Sequence, residues 1–301
     1  MKKVLFATTA LVATAGVAAA DVTFGGYGRF GILYSESAGA DLIVGTADDT
    51  DSIDVTSRLR FQIDVTAESD AGVTFGARTR IQTAEGVTNK GFNGVRFFAR
   101  SGGFEVGVGN IYGAIEFMPG MYPIDLGLTG LGYQYTAYST GGADAYSSGG
   151  LGSSGSNGIE FMYSAGDFSA HVSASDTNDR IAAHVAYTVS GWTFALAAQD
   201  SDLATDTEFA ATVGGSFGIA DVTLAYADNG TNGDHIVLTG RFDVGAATNV
   251  EVYVADADSW TDTSFGVDFN HDLGGGTSLR GGIASLGNGQ TRADMGVRFN
   301  F

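Results

Sequence analysis

Apolar and polar residues alternate along nearly the whole chain after residue 20, in segments of about ten residues separated by turn-forming clusters. In one such segment Leu59 and Phe61 share one parity, whereas Arg58 and Arg60 share the other. A period of two with one apolar face indicates a half-buried β-strand. Only 2 prolines accompany 46 glycines, so turns are frequent while residues that interrupt a strand ladder are scarce. The pattern therefore predicts an all-β chain.

Sixteen segments of this kind occur, and the connections between them alternate between short and longer ones. An even number of strands, with short turns at one end and longer loops at the other, is typical of bacterial outer-membrane barrels. Closure also leaves no unpaired strand edge, which a bilayer would not tolerate. We expect a transmembrane antiparallel up-and-down β-barrel of 16 strands over residues 21–301. Barrels of 14 or 18 strands are alternatives, because weak neighbouring segments can be merged or split.

The N-terminus has the pattern of a secretory signal peptide over residues 1–20. Lys2 and Lys3 precede an apolar stretch from Val4 to Val17, and three alanines follow at 18–20. A basic start, a short apolar region and an A-x-A site predict cleavage after residue 20. No later stretch approaches the ~20 consecutive apolar residues of a membrane-spanning helix. A membrane role would therefore rest on strands.

The two faces of the strands differ in chemistry. One parity carries Val, Phe, Ile, Leu, Tyr and Ala, and the other carries most of the charge. In a soluble β-sandwich or β-helix the apolar face would form the core, and parity alone does not exclude these folds. The signal peptide and the number of strands with charged partners favour the barrel, in which the apolar face meets lipid and the charged face lines a lumen.

The composition narrows the range of partners. The full sequence has a net charge of −19, and removal of Lys2 and Lys3 with the signal peptide brings it to −21. This acidic balance argues against nucleic acid, whose phosphates need clustered lysines and arginines. Cysteine is absent and the four histidines show no ligand spacing. The pattern thus indicates neither a disulfide framework nor a catalytic centre with a cofactor.

One long segment, residues 113–157, does not fit the strand pattern and contains both prolines, Pro119 and Pro123. Its length is some 45 residues, and a connection of that size in a compact domain is usually functional. In a barrel the space for it lies inside. We therefore predict that this segment folds into the lumen and sets the width and charge of a pore.

Basic residues are concentrated on one parity of the first four predicted strands. Seven of the 13 arginines and lysines of the mature chain lie there, namely Arg29, Arg58, Arg60, Arg78, Arg80, Arg96 and Arg100. Because their apolar neighbours take the outward parity, these arginines are expected to face the lumen. The alternation thus predicts a basic wall inside the barrel.

Several stretches resemble the general diffusion porins of alphaproteobacteria. They are residues 22–31 (VTFGGYGRFG), 57–61 (SRLRF), 272–277 (DLGGGT), 281–284 (GGIA) and 294–301 (DMGVRFNF). The resemblance covers both ends of the chain well and the middle loosely. It implies an outer-membrane protein of a Gram-negative bacterium that forms a water-filled channel for passive diffusion of small hydrophilic solutes and ions.

The same resemblance implies a homotrimer of barrels in contact with outer-membrane lipid and lipopolysaccharide. It also implies that the long loop carries acidic residues, here Glu116 and Asp125, which face the basic wall across a pore constriction. That wall would consist of Arg58, Arg60, Arg78, Arg80, Arg96 and Arg100. Residues 123–127 depart from the Pro-Glu-Phe-Gly-Gly-type motif of many members. The aromatic last residue, Phe301, is the implied signal for the outer-membrane assembly machinery.

Other interpretations are open at the level of sequence. The acidic loop with Asp48, Asp49 and Asp51 offers the oxygen ligands that Ca²⁺ prefers, although a solvated acidic loop is the simpler explanation. The alternatives to a general porin are an adhesin or recognition barrel, a substrate-selective channel and a barrel enzyme. A recognition barrel needs several long outer loops, whereas the other connections here are short. A passive channel without enzyme activity is the preferred interpretation.

Overall fold

The structure is a computed structural model of the chain, and it describes residues 20–37, 39, 48–86, 91–138, 142–148 and 155–301. The predicted signal peptide lies outside this part of the chain, apart from its last residue. Within the described residues no helix is long and apolar enough to cross a membrane. Their one helical element is a single 3₁₀ turn, Gly230–Asn232.

Sixteen strands account for most of the described residues. They are β1 (Asp21–Ser35), β2 (Ser52–Glu68), β3 (Thr74–Ala84), β4 in two segments (Gly91–Phe92 and Arg96–Ser101), β5 (Phe104–Asn110), β6 (Asn157–Ala165), β7 (Phe168–Ser175), β8 (Ile181–Val189), β9 (Trp192–Asp200), β10 (Glu208–Phe217), β11 (Ala220–Asp228), β12 (Asp234–Gly245), β13 (Thr248–Ala257), β14 (Ser264–Gly274), β15 (Thr277–Ser285) and β16 (Thr291–Asn300). The interruption of β4 has a local cause. The side-chain oxygen of Asn93 accepts a hydrogen bond from the backbone N–H of Arg80 at 2.7 Å, in place of a ladder bond.

Each strand pairs antiparallel with the next, and β1 also pairs with β16, which closes the sheet into a barrel. In this closing register Phe30 lies opposite Val297, and on its other side Phe30 lies opposite Ser57 of β2. Turns at one end of the barrel are as short as two residues, as between β10 and β11, and connections at the other end are longer. The predicted fold class, its closure and its count of 16 strands are confirmed.

The outer face of the barrel is apolar, as the alternation predicts. Phe24, Phe97, Leu196 and Phe265 are among the exposed side chains on it. Because a closed ladder pairs backbone groups from strand to strand, this face can meet lipid without exposing unpaired N–H or C=O groups.

The inner face has two different halves. Strands β1 to β4 carry arginine, glutamine and aspartate there, as predicted. Strands β8 to β13 instead carry buried alanines, which we call the alanine wall: Ala182, Ala186, Ala195, Ala197, Ala210, Ala225, Ala227 and Ala255. Alanine therefore occurs on both faces of the barrel, and these positions have the inward parity. A methyl side chain leaves room for a loop to pack closely against the strands.

The hydrophobic core lies inside the barrel, between the alanine wall and the long connection from Ile111 to Ser156. We call this connection the lumen loop; its bounds lie close to the predicted 113–157. Its side chains Ile115, Met121 and Leu126 are each at most 1 % exposed. Full burial of one such side chain contributes about 1.5–3 kcal/mol. The predicted inward folding of this segment is thus confirmed, and apolar packing is the physical reason for it.

Candidate functional site

An arginine wall lines one side of the lumen. We define it as seven of the eight inward-facing arginines on the five neighbouring strands β15, β16, β1, β2 and β3, leaving out Arg292: Arg29, Arg58, Arg60, Arg78, Arg80, Arg280 and Arg298. The strand register sets their spacing, since Arg29 lies directly opposite both Arg58 and Arg298. Directly opposed residues on adjacent antiparallel strands have Cβ atoms about 5 Å apart. Closure of the barrel therefore gathers basic residues from both ends of the chain into one patch.

Neutral side chains hold part of this wall in place. The side-chain oxygen of Gln82 accepts a hydrogen bond from Arg60 Nε at 2.7 Å. The ring of Tyr27 lies between two guanidinium groups, 5.1 Å from that of Arg60 and 4.4 Å from that of Arg298. Contacts with amide and aromatic groups fix a cation without removing its charge.

Carboxylates neutralise only part of the arginine wall. Asp64 pairs with Arg78 at 2.6 Å, and Asp125 of the lumen loop pairs with Arg280 at 2.8 Å and with Arg298 at 2.7 Å. The other four arginines have no carboxylate oxygen within 4.0 Å in the described part of the chain: Arg29, Arg58, Arg60 and Arg80. The wall therefore presents net positive charge to the lumen.

Arg96 and Arg100 also point inward but have different surroundings. Arg96 is 1 % exposed and pairs with Glu105 at 2.7 Å and with Glu160 at 2.6 Å. Tyr112 covers it, with its ring centroid 4.1 Å from the guanidinium carbon. Arg100 is exposed near the short-turn end of β4. Arg96 thus belongs to a buried ion cluster beneath the lumen loop rather than to the open wall that the alternation predicts.

Carboxylates on the inner face hold the lumen loop by its backbone. Glu160 accepts a hydrogen bond from the N–H of Tyr112 at 3.0 Å, Glu251 from that of Asp125 at 3.2 Å, Asp268 from that of Gly127 at 2.5 Å and Asp294 from that of Thr129 at 2.7 Å. These four carboxylate side chains are at most 6 % exposed. Hydrogen bonds to charged acceptors are stronger than neutral ones. These anchors were not predicted from the sequence, although the acidic residues at inward parity in β6, β13, β14 and β16 indicate polar groups inside the barrel.

The two predicted acidic loop residues lie in unlike positions. Asp125 is 51 % exposed and is bound by Arg280 and Arg298, two arginines outside the predicted basic wall. Glu116 is half-buried and accepts a hydrogen bond from the Tyr122 hydroxyl at 2.9 Å. Burial raises the pKa of the Glu116 carboxyl, and the bond from Tyr122 partly opposes that rise. Neither acid pairs with an arginine of β2 or β3 in the described structure.

Hydrogen bonds join the arginine wall to the lumen loop on two strands. On β1, Arg29 donates a hydrogen bond to the backbone carbonyl of Leu128 at 2.5 Å. On β3, Arg80 donates one to the Ser148 hydroxyl at 2.7 Å. The two arginines of β2, which lies between these strands, donate to other barrel residues and make no hydrogen bond to a described residue of the loop. Their guanidinium groups are therefore available to solutes in the lumen.

Few described residues of the lumen loop are exposed. Of its described residues five are exposed, namely Phe117, Tyr122, Asp125, Gly132 and Tyr133. Three of the five are aromatic, and the one charged residue is already paired. The exposed edge of the loop is thus aromatic rather than acidic.

Comparison with known proteins decides the family. The profile of the Gram-negative porins matches residues 7–291. The chain belongs to this family. It is 31 % identical to the porin of Fuscovulum blasticum and 28 % identical to the porin of Rhodobacter capsulatus, in each case over 93 % of the chain and 100 % of the relative. A solved triple mutant of Rhodopseudomonas blastica porin has a TM-score of 0.79 at 28 % identity, with 93 % of this chain and 100 % of that one covered.

The expected resemblance to the porins of alphaproteobacteria is therefore confirmed. This porin is an outer-membrane channel for passive diffusion of small hydrophilic solutes and ions, and none of the comparisons favours an adhesin or recognition barrel. Membership of the family implies a channel rather than an enzyme.

The acidic loop between β1 and β2 contains the predicted calcium ligands. Asp51 accepts a hydrogen bond from the Tyr34 hydroxyl at 3.0 Å. No group of three or more His, Cys, Asp or Glu side chains suited to a metal ion occurs among the residues that the structure describes. Residues 40–47 of the same loop are not among them. Calcium binding by Asp48, Asp49 and Asp51 stays a prediction.

Proposed function

We propose that the channel of this porin is narrowest between the arginine wall and the exposed edge of the lumen loop, and that this passage admits small anions more readily than small cations. The charge balance there supports the proposal. Four arginines of the wall have no carboxylate partner among the described residues. The described part of the loop has one carboxylate without an ion pair, that of Glu116.

The sequence-based expectation of a field between opposed charges needs acidic groups that face the basic wall unpaired. Asp125 does not fulfil this condition, because Arg280 and Arg298 bind it. The passage is accordingly positive on the side of the wall and nearly uncharged on the side of the loop. A lining with this charge balance attracts anions into the passage. Two oppositely charged sides would instead create a field across it.

The magnitude of the effect depends on salt. A permeating ion about 5 Å from one arginine has an interaction free energy of roughly 0.8 kcal/mol in a water-like dielectric. Several arginines together would therefore change the relative ion permeability several-fold at low salt. Near 1 M salt the Debye length falls to about 3 Å, so most of the preference should vanish.

Reversal potentials of the purified protein in planar bilayers test the proposal. The double variant Arg58→Ser, Arg60→Ser should shift the reversal potential in a KCl gradient toward cation preference near 0.1 M salt, and much less near 1 M. Arg241→Ser is the matched control, since Arg241 is 45 % exposed and lies 3.8 Å from Asp243 on β12, outside the arginine wall. An unchanged reversal potential in the double variant would show that selectivity arises elsewhere in the lumen.

We also propose that the barrel works as a homotrimer in contact with outer-membrane lipid and lipopolysaccharide, as the family resemblance implies. The apolar outer face is suited to contact with lipid or with another copy of the barrel. Crosslinking in native membranes, followed by electrophoresis without heating, tests this assembly. A trimer band supports it, and recovery of the monomer alone would contradict it.

A further inference from the structure

We infer that the passage discriminates among small anions, and favours carboxylates that carry a flat aromatic ring over aliphatic carboxylates of the same charge. The inference rests on the proposed function, in which the arginine wall attracts the carboxylate. What is added is the role of the opposite side of the passage, the aromatic edge formed by Phe117, Tyr122 and Tyr133.

Each ring of the aromatic edge is held in place by a contact of its own. Phe117 stacks on Tyr112, with ring centroids 4.6 Å apart and an interplanar angle of 10°. The Tyr122 hydroxyl is fixed by its hydrogen bond to Glu116 at 2.9 Å. The rings of Phe117, Tyr122 and Tyr133 nevertheless remain 49 %, 38 % and 40 % exposed, respectively. They are pre-positioned surfaces rather than mobile side chains.

The ring of Tyr133 packs against the backbone of the lumen loop. Its ring lies over Gly130, where a Cβ atom would come within 2.5 Å of the tyrosine ring. Gly130 has a φ of 88°, a conformation that favours glycine. One face of the ring is therefore supported by backbone, and the remaining exposed surface is open to the lumen.

The aromatic edge extends along the direction of permeation. Phe117 lines a cavity of about 530 Å³ together with Gly102 of the β4–β5 turn, at the short-turn end of the barrel. Tyr133 lines a cavity of about 240 Å³ together with Asn232 of the β11–β12 connection, at the end with longer loops. Phe117 and Tyr133 therefore lie toward opposite ends of the barrel.

The chemistry of the two sides suits one class of solute. Guanidinium groups bind carboxylates through charge-assisted hydrogen bonds. Aromatic side chains attract another ring in offset-stacked or edge-to-face geometry beyond what its apolar area alone contributes. An aromatic carboxylate can use both sides at once, whereas acetate or chloride can use only the wall. Weak binding of this kind raises the rate at which the solute enters the passage and still allows it to leave, as conduction through a pore requires.

The test compares benzoate, cyclohexanecarboxylate and acetate, which carry the same charge, as blockers of KCl conductance through the wild-type channel. Benzoate should halve the conductance at a concentration about two- to tenfold lower than acetate, the range that an aromatic pair provides. Cyclohexanecarboxylate, which has an apolar ring that is neither flat nor aromatic, should lie between acetate and benzoate. Equal half-blocking concentrations for benzoate and acetate, or for benzoate and cyclohexanecarboxylate, would overturn the inference.

The double variant Phe117→Leu, Tyr133→Leu keeps the apolar character and removes two rings. It should bring the half-blocking concentration of benzoate toward that of cyclohexanecarboxylate. Phe265→Leu is the matched control, since Phe265 is an exposed phenylalanine on the outer face of β14. Persistence of the benzoate advantage in the double variant would overturn the assignment to these rings. The reversal potential reports the arginine wall independently, so failure of the proposed function would be recognised separately.

Discussion

The carboxylate of Asp294 on β16 accepts two hydrogen bonds from Thr129 of the lumen loop, one from its backbone N–H at 2.7 Å and one from its hydroxyl at 2.6 Å. It also accepts one from the N–H of Leu128 at 2.9 Å. The loop is thus tied by charged acceptors to a strand that also belongs to the arginine wall. Its distance from that wall, and with it the width of the passage, depends on these bonds.

Replacement of Asp294 should therefore loosen the loop without opening the barrel. A hydrogen bond to a charged group contributes about 1.5–3 kcal/mol, so Asp294→Ala removes several kcal/mol of loop anchoring. We expect larger current noise and a higher solute size limit in single-channel recordings. Asp272→Ala is the control, because Asp272 is exposed and its carboxylate accepts, among the described residues, a hydrogen bond only from the nearby Gly274 N–H at 2.8 Å. Equal noise and size limits in the two variants would contradict the anchoring role.

The sequence predicted the barrel well because the alternation of apolar and polar residues is a local signal. Parity alone predicts the outward face for Leu59 and Phe61 and the inward face for Arg58 and Arg60. The structure places the four side chains on these faces. The long loop was recognisable for the opposite reason, since it breaks the pattern. Its inward direction followed from the geometry of a closed barrel.

The pairing inside the lumen was harder to predict because it depends on contacts between distant parts of the chain. Arg96 has the same parity as Arg78, yet the loop covers it and Glu160 neutralises it. Parity predicts the face of the sheet on which a side chain lies. It does not predict which residues of other segments pack over that face. For the same reason, the local sequence could not predict the contact of Asp125 with Arg298, which lies 173 residues away.

The alanine wall gives a prediction that uses two neighbouring residues on opposite faces. Ala182 is 2 % exposed and packs in the core beneath the loop, whereas Ala183 is exposed on the outer face. Ala182→Leu should crowd the core, at a cost of about 1–3 kcal/mol, and displace the loop toward the arginine wall. We expect lower single-channel conductance for Ala182→Leu and wild-type conductance for Ala183→Leu. Identical conductances in the two variants would mean that the loop does not transmit this packing to the passage.

The last residue provides a prediction about assembly. Phe301 continues the pairing of β16 with β1, since its N–H donates to the Gly26 carbonyl at 3.1 Å and its own carbonyl accepts from the Gly26 N–H at 3.0 Å. Its ring is 52 % exposed and lies 5.2 Å from that of Phe61 on the outer face. Deletion of Phe301 should lower the amount of protein inserted in the outer membrane and leave the conductance of the inserted channels unchanged.

Quantitative immunoblotting of outer-membrane fractions measures the effect of this deletion. Phe217→Ala is a suitable control, because Phe217 is an exposed phenylalanine at the same short-turn end of the barrel. Unchanged insertion after deletion of Phe301 would show that the terminal aromatic is not the assembly signal.

Glu116 gives a prediction about pH. Burial raises the pKa of its carboxyl above the ordinary value for glutamate, and the hydrogen bond from Tyr122 partly opposes this. Because the pKa is higher in the folded channel than in the unfolded chain, the carboxylate lowers stability once the pH rises through the folded pKa. That cost is absent at pH values below the unfolded pKa. Glu116→Gln should therefore be at least as stable as the wild type at neutral pH.

The raised pKa of the Glu116 carboxyl should also change how ion selectivity depends on pH. As the pH falls from about 7 toward the ordinary pKa of glutamate, about 4.3, Glu116 takes up a proton earlier than an exposed glutamate would. The described part of the loop then has no unpaired negative charge, so the preference for anions should increase. Reversal potentials near 0.1 M KCl should show this increase in the wild type and in Glu68→Gln, an exposed carboxylate at the end of β2. Glu116→Gln should already show the stronger anion preference at pH 7, and an unaltered pH profile in that variant would assign the effect to another carboxylate.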